Sequence, residues 1–348
     1  MKDIKFDLND ILITPDTISD IVSRYSDVDI YYTDGIHKHL PIIAAPMDTV
    51  VGKNQEEFWL NNIGMCIPRT SDEASMHFGI TTFPIYKSYS LERFSELISD
   101  TSTMLPRFIL VDIANGHMRK LYEALDMFTK TQYFGNVKLM IGNIANPSTY
   151  RYISENYNWV YAVRIGIGNG NGCLTTQQTG VGYPMGSLIS ECSEIQQMYG
   201  GPLIVADGGM KSYSDIIKAL ALGAQYVMVG SIFNKALESA GETRFLGIKI
   251  DQHGKFAKWA FGAGLPIYKV FRGMSTKSVQ KLFGGKIKTS EGITRKNKVE
   301  YTLQEWTENF EHYLASAMSY TNSKNLRDFI GKSEYTIVTP ESVSRYKK

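Results

Sequence analysis

Eight short apolar runs, most of them followed by a helical pattern, constrain this chain more than any other feature. They lie at 40–45 (LPIIAA), 63–67 (IGMCI), 80–83 (ITTF), 108–112 (FILVD), 137–141 (VKLMI), 160–165 (VYAVRI), 202–206 (PLIVA) and 226–229 (YVMV). A strand that is apolar on both faces must be covered on both, and helices alternating with such strands give a covered parallel sheet. Eight units predict a (β/α)8 TIM barrel, with a doubly wound open sheet as the alternative arrangement of the same pieces. With 348 residues, 43% of them hydrophobic, the chain can bury the core of one such barrel over residues 1–348.

The helical stretches show one apolar face each. Leu91, Phe94, Leu97 and Ile98 make a stripe after the third run, and Ile216, Ile217 and Leu220 make another that Gly223 is placed to end. Thr302 and Glu305 form a capping-box pattern opening a helix with Leu303, Trp306, Phe310 and Leu314 on one side. These stripes are expected to pack on the barrel. Between the eighth strand and this last helix, residues 232–300 read as a long excursion carrying Gly and Lys, suited to a flap at the active face. No second domain is inserted between the second and third strands.

Chemistry concentrates after the sixth run. Gly166, Gly168, Gly170 and Gly172 alternate with other residues, followed by Cys173, Thr175, Gly180 and Gly182. Glycines let backbone amides and carbonyls approach a ligand closely, and a cysteine among them is a presented thiol. A surface loop with an incidental cysteine is the plainer reading. In a barrel this loop leaves the C-terminal face, where barrel active sites lie. Asp48, Asp112, Asn143, Asp207-Gly208-Gly209 and Gly230-Ser231 fall at other strand ends on that face. Asp207 suits ribose hydroxyls, and the glycine amides and Ser231 suit a phosphate.

A net charge of +2 without a long basic run gives no support to nucleic-acid or membrane binding. The first residues resemble neither a signal nor a transit peptide, and Cys66, Cys173 and Cys192 are too widely spaced for a disulfide framework or a zinc site. A reducing cytoplasm is the expected location.

The cysteine loop GIGNGNGCLTTQQTGVGYP (166–184) resembles that of the IMP dehydrogenase and GMP reductase family, without a gap. IIAAPMDTV (42–50), VDIANG (111–116), Gly142-Asn143, ADGG (206–209), VGS (229–231), ESAGE (238–242), GMS (273–275) and SEG (290–292) follow in family order over nearly the whole chain. TGVGYP (179–184), DIANG (112–116), the missing regulatory insertion and a flap without an adjacent Arg-Tyr pair resemble the reductase branch. That pair activates the hydrolytic water of the dehydrogenases.

The resemblance implies that Cys173, as thiolate, attacks C2 of the purine of GMP. Thr175 and Glu291 relay the proton that lets ammonia leave, and NADPH delivers hydride to give IMP. It also implies that Asp207, Gly208, Gly209, Gly230 and Ser231 hold ribose and phosphate. Gly273, Met274, Ser275 and the flap residues Lys288, Ser290 and Gly292 meet the purine end. Arg69, Asp112, Ile113, Ala114, Ile167, Gly168, Ser316 and Ser319 face the cofactor. In the family's homotetramer, Ser23 and Arg24 reach a neighbour's cofactor. Backbone carbonyls of Gly168, Gly170 and Cys173 coordinate potassium.

Departures from the family pattern sit close to the same loop. Asn169 and Asn171 replace proline and serine, Leu174 replaces threonine, and Thr176, Gln177 and Gln178 stand in for basic residues. Met185 replaces glutamine, Lys288 replaces arginine, Arg69 replaces lysine and Ala315 replaces arginine. Three alternatives stay open on this sequence: IMP dehydrogenase, a reductase for a related nucleotide such as dGMP, and a silent nucleotide-binding barrel.

Overall fold

A computed structural model describes residues 4–71, 83–100, 102, 104–274, 276 and 292–345. Eight parallel strands close into a barrel: β1 (Ile42–Ala44), β2 (Gly64–Ile67), β3 (Ile85–Tyr89), β4 (Phe108–Asp112), β5 (Lys138–Ile144), β6 (Ala162–Ile165), β7 (Leu203–Asp207) and β8 (Tyr226–Val229). Closure runs through Val227 opposite Ile42 and Val229 opposite Ala44. Outside the strands lie α1 (Gln55–Leu60), α2 (Leu91–Ser99), α3 (Arg119–Phe128), α4 (Pro147–Asn156), α5 (Thr175–Thr179), α6 (Met185–Tyr199), α7 (Tyr213–Ala221) and α8 (Ser231–Asn234). This is the (β/α)8 barrel that the alternation predicts, and its closure rules out the open sheet.

The third strand lies after Pro84 and not at the apolar run 80–83, of which residues 80–82 fall outside the described part. The reason is visible in its IYKSY sequence. Ser88 is fully buried, and Lys87 places its ammonium on the Ser71 carbonyl, so the strand shows no continuous apolar signal.

Side chains along a strand alternate between two faces. Val163 and Ile165 pack in the layer under the helices with Val111 and Ile204. Ala162 packs inside the barrel with Phe108, Leu110, Met140 and Val205. The same phase points Asp112, Arg164 and Asp207 inward at the top of β4, β6 and β7, where those strands deliver polar groups to one place.

Helix ends follow the local chemistry. Ser212 with Asp215 caps α7, and Thr302 with Glu305 caps α10 (Leu303–Tyr320) after α9 (Lys255–Gly262). Leu303, Trp306, Phe310 and Leu314 are all buried on α10, and Trp306 stacks on Phe310 with ring centroids 5.4 Å apart.

The 232–300 excursion contains a four-stranded antiparallel sheet. It consists of β9 (Thr243–Phe245), β10 (Ile248–Ile250), β11 (Ile267–Arg272) and β12 (Thr294–Lys298), in the order β10-β9-β11-β12. With α9 it encloses a small core of Leu237, Ala257, Ala260, Ile267 and Val299. Lys269 on β11 is fully buried there and donates to the Ser239 carbonyl at 2.7 Å. These strands are short and half-exposed, so they leave little periodic signal in the sequence.

Candidate active site

The loop after β6 turns at Gly166, whose φ of +120° is left-handed and suits glycine. Thr176 pins the loop from behind, its hydroxyl lying 3.1 Å from the carbonyl of Ile167 and 2.7 Å from that of Val181. The Cys173 amide closes a turn onto the Gly170 carbonyl at 2.9 Å. Its thiol, half-buried and not in a disulfide, donates to Thr175 Oγ1 at 3.2 Å. The loop therefore presents a sulfur and a hydroxyl together.

Backbone hydrogen bonds lace the excursion onto this loop. Ile293 N donates to the Gly172 carbonyl at 3.1 Å, and Gly273 N donates to the Ile293 carbonyl at 3.0 Å. Cys173 and Gly292 form an antiparallel bridge. An ion pair between Arg272 and Asp48 ties the end of β11 to the loop after β1. Ser275, Lys288, Ser290 and Glu291 lie outside the described residues.

A cavity of about 230 Å³ opens between these loops. Cys173, Gly170, Asp207, Gly208, Gly209, Gly230, Ser231, Gly273 and Met274 line it, as do Arg69, Asp112 and Ala114 from the expected cofactor side. Ile113, Ile167 and Gly168 are not among the lining residues. The Ile113 amide donates to the Gly142 carbonyl at 3.0 Å, and Gly168 packs on Thr176. Ser23, Arg24, Ser316 and Ser319 do not line the cavity. The Arg24 guanidinium lies 5.0 Å from the Tyr25 ring centre, and Ser19 donates to the Ser319 carbonyl at 2.7 Å. Asn171 reaches across to Ser231, its Nδ2 donating to Oγ at 2.7 Å.

Arg164 receives no role in a reading of the sequence, and Asn143 is marked there only as a polar residue at a strand end. Arg164, 5% exposed, donates from Nη2 to Asp112 Oδ1 at 2.7 Å and lies 3.3 Å from Asp207 Oδ2 through Nε. Asn143 accepts from Arg164 Nε at 2.6 Å and donates to Asp207 Oδ2 and the Gly166 carbonyl, each at 2.7 Å. The available signal is a lone arginine at the inward phase of an otherwise apolar strand, a position too costly to keep unpaired. Burial pushes the Asp207 carboxyl above the usual carboxylate range, against Arg164 and Asn143, which pull it down. Burial also opposes the charge of Arg164, but Asp112 and Asp207 outweigh it and raise its pKa. The guanidinium stays charged.

These features define a (β/α)8 barrel that carries a free thiol in a glycine-rich loop after the sixth strand, beside an Asp–Arg–Asp cluster with a buried arginine at the C-terminal face. Residues 88–346 match the model of the IMP dehydrogenase / GMP reductase domain, and the chain belongs to that family. A GMP reductase of Staphylococcus carnosus is 30% identical, covering 96% of this chain and 96% of that protein. Human GMP reductase 2 is 26% identical over 98% of this chain and 96% of its own length. An inosine-5'-monophosphate dehydrogenase of Cryptosporidium parvum is 29% identical, over 66% of this chain and 54% of its own length.

Proposed function

We propose that this chain is a GMP reductase, converting GMP to IMP and ammonia at the expense of NADPH. The observation that carries the reading is the Cys173 thiol on Thr175 Oγ1, on a loop facing Asp207 across the cavity. A thiol is both a good nucleophile and a good leaving group, so one residue serves to open and close a covalent path.

In this path the Cys173 sulfur bonds to C2 of the guanine. The C2–N bond breaks once the 2-amino group has gained a proton, relayed by Thr175 and Glu291, and ammonia departs. A reduced nicotinamide held beside Arg69, Asp112 and Ala114 would supply the hydride that C2 receives. The C2–S bond then breaks, the thiolate of Cys173 is restored, and IMP is the product. Asp207 takes the ribose hydroxyls, while the backbone at Gly208, Gly209, Gly230 and Ser231, with the Asn171 amide, takes the phosphate. Gly273, Met274 and Gly292, with Ser275, Lys288 and Ser290, take the purine.

The Asp112 wall fits a nicotinamide nucleotide in its donor set. A carboxylate is available for ribose hydroxyls, Arg69 stands 3.7 Å from its other oxygen, and Ala114 and Gly170 leave room for a flat ring. Ile113, Ile167 and Gly168, together with Ser316 and Ser319 on α10, are assigned to the cofactor on the family resemblance. Ser23 and Arg24 serve a neighbouring copy within a homotetramer. Carbonyls of Gly168, Gly170 and Cys173 suit a potassium ion by oxygen type. The Gly170 oxygen already accepts the Cys173 amide and keeps one lone pair for the ion. Among the described residues no helix is long and apolar enough to cross a membrane, and we assign the protein to the cytoplasm.

The test is the loss of NADPH absorbance on adding GMP, with potassium present and ammonia measured. dGMP with NADPH and IMP with NAD are run in parallel. Turnover with GMP supports the reading, preference for dGMP moves the substrate, and turnover only with IMP and NAD replaces the reading by IMP dehydrogenase. Cys173→Ala is expected to abolish turnover and still bind GMP; retained turnover sinks the covalent path.

A further inference from the structure

Arg164 lies between two carboxylates that the proposed function assigns to different ligands. Asp207 on β7 is placed for the nucleotide, and Asp112 on β4 for the cofactor. One guanidinium reaches both from β6, at 2.7 Å to Asp112 and 3.3 Å to Asp207. Its third nitrogen faces Met228 Sδ on β8 at 3.7 Å. Asn143 on β5 completes the set by holding both Arg164 Nε and Asp207 Oδ2. Arg69 approaches the outer oxygen of Asp112 from the rim, and fully buried Cys66 sits on β2 within the electrostatic reach of Arg164.

The two arms are unequal. Asp112 holds a short charge-assisted hydrogen bond, whereas the direct contact to Asp207 is longer and shared with the Asn143 amide. Ribose hydroxyls donating to Asp207 compete for that carboxylate and draw it from the weaker arm. The guanidinium then rests more fully on Asp112 and fixes its orientation. A ligand on one carboxylate thereby changes how rigidly the other is held.

We propose that Arg164 is a positioning residue that couples the two halves of the site, making nucleotide and cofactor tighten each other's binding through one shared guanidinium. The inference rests on the assignment of Asp207 to the nucleotide and Asp112 to the cofactor. Coupling of this kind is reciprocal, so each ligand improves the other's affinity by the same factor.

GMP with NADP+ is a pair between which no hydride can pass, because neither member carries the hydride the other needs. An ammonia assay of the same mixture checks that the C2–N bond stays intact. Calorimetric titration of each ligand, alone and with the other saturating, gives the factor in the unaltered chain. It is expected to be about tenfold, inside the usual range for coupled sites. Arg164→Lys keeps the charge but lacks a planar fork able to hold two carboxylates. It is expected to weaken at least one ligand and bring the factor to about one, an outcome that loss of packing alone does not produce. An unchanged factor in this variant overturns the proposal, as does independent binding in the unaltered chain.

Should the lysine variant fail to fold, Asp112→Asn gives a second reading. Releasing the cofactor-side carboxylate lets Arg164 close on Asp207 and is expected to change GMP affinity severalfold with no cofactor present. Unaltered GMP affinity there overturns the coupling. An unaltered chain that binds no GMP at all overturns the functional reading and this inference together. Intact GMP binding that is indifferent to NADP+ overturns the coupling alone.

Discussion

Gly208→Ala tests whether the turn after β7 must touch the cysteine loop. Gly208 holds φ at +92°, a left-handed value that costs other residues about 1–2 kcal/mol. An added Cβ stands 2.9 Å from the Gly170 nitrogen and 3.2 Å from its Cα. Both are backbone atoms, so no side-chain rotation relieves the overlap. One of the two loops must shift, and overpacking of this kind costs about 1–3 kcal/mol. Together the terms predict a destabilisation of about 2–5 kcal/mol.

The shift reaches the chemistry because Cys173 hangs from the same turn through its 2.9 Å amide bond to the Gly170 carbonyl. A displacement of the sulfur by about 1 Å lowers kcat/KM by about 10²-fold. Thermal unfolding and NADPH-coupled kinetics read the two effects. Gly180→Ala is the control. Its φ of +72° carries the backbone penalty, but no atom lies within 4 Å of the new Cβ, so activity is expected to survive. If Gly208→Ala behaves like Gly180→Ala, the close approach of the two loops has no catalytic consequence and the reasoning fails.

Asn171→Asp puts a carboxylate beside Ser231, in the cradle assigned to the phosphate. At about 4 Å and an effective dielectric near 20, like charges repel by about 4 kcal/mol, so the KM for GMP should rise about 10²–10³-fold. An unchanged KM places the phosphate elsewhere. Lys269 supplies a pH test of the excursion. Burial lowers its pKa from 10.5 to about 7, opposed by Glu238. Between those values the unfolded chain holds more protons than the folded one, so this contribution to stability rises with pH across that window and is flat below it. Lys269→Met removes the slope. In denaturant titrations from about pH 7 to 10, the unaltered chain should gain stability relative to the variant; parallel curves show that the lysine is not desolvated.

Local pattern carried the barrel. Apolar runs and capping residues act over a few positions, so seven of the eight strands, α7 and α10 were legible without any contact being known. The glycine-rich loop with Cys173 and Thr175 was legible for the same reason, since its spacing is covalent. Signals that depend on burial failed locally. IYKSY became a barrel strand because closure buries Ser88 and lets Lys87 reach a carbonyl, a fact that residues 85–89 do not contain. The sheet of the excursion was likewise decided by cross-strand pairing.

The sequence by itself determined how many βα units there are, which residues cap them and which loop bears the thiol. Only the tertiary structure decided that Asp112, Asn143, Arg164 and Asp207 meet. These residues come from four strands, with Arg164 and Asp112 separated by 52 positions. Period-two alternation gives Asp112, Arg164 and Asp207 an inward phase but no partner, and gives Asn143 the outer phase of Leu139 and Ile141, which the register shift between Gly142 and Ile144 reverses. A buried charge is tolerable only when opposite charge lies within hydrogen-bonding distance, and barrel closure supplies that distance.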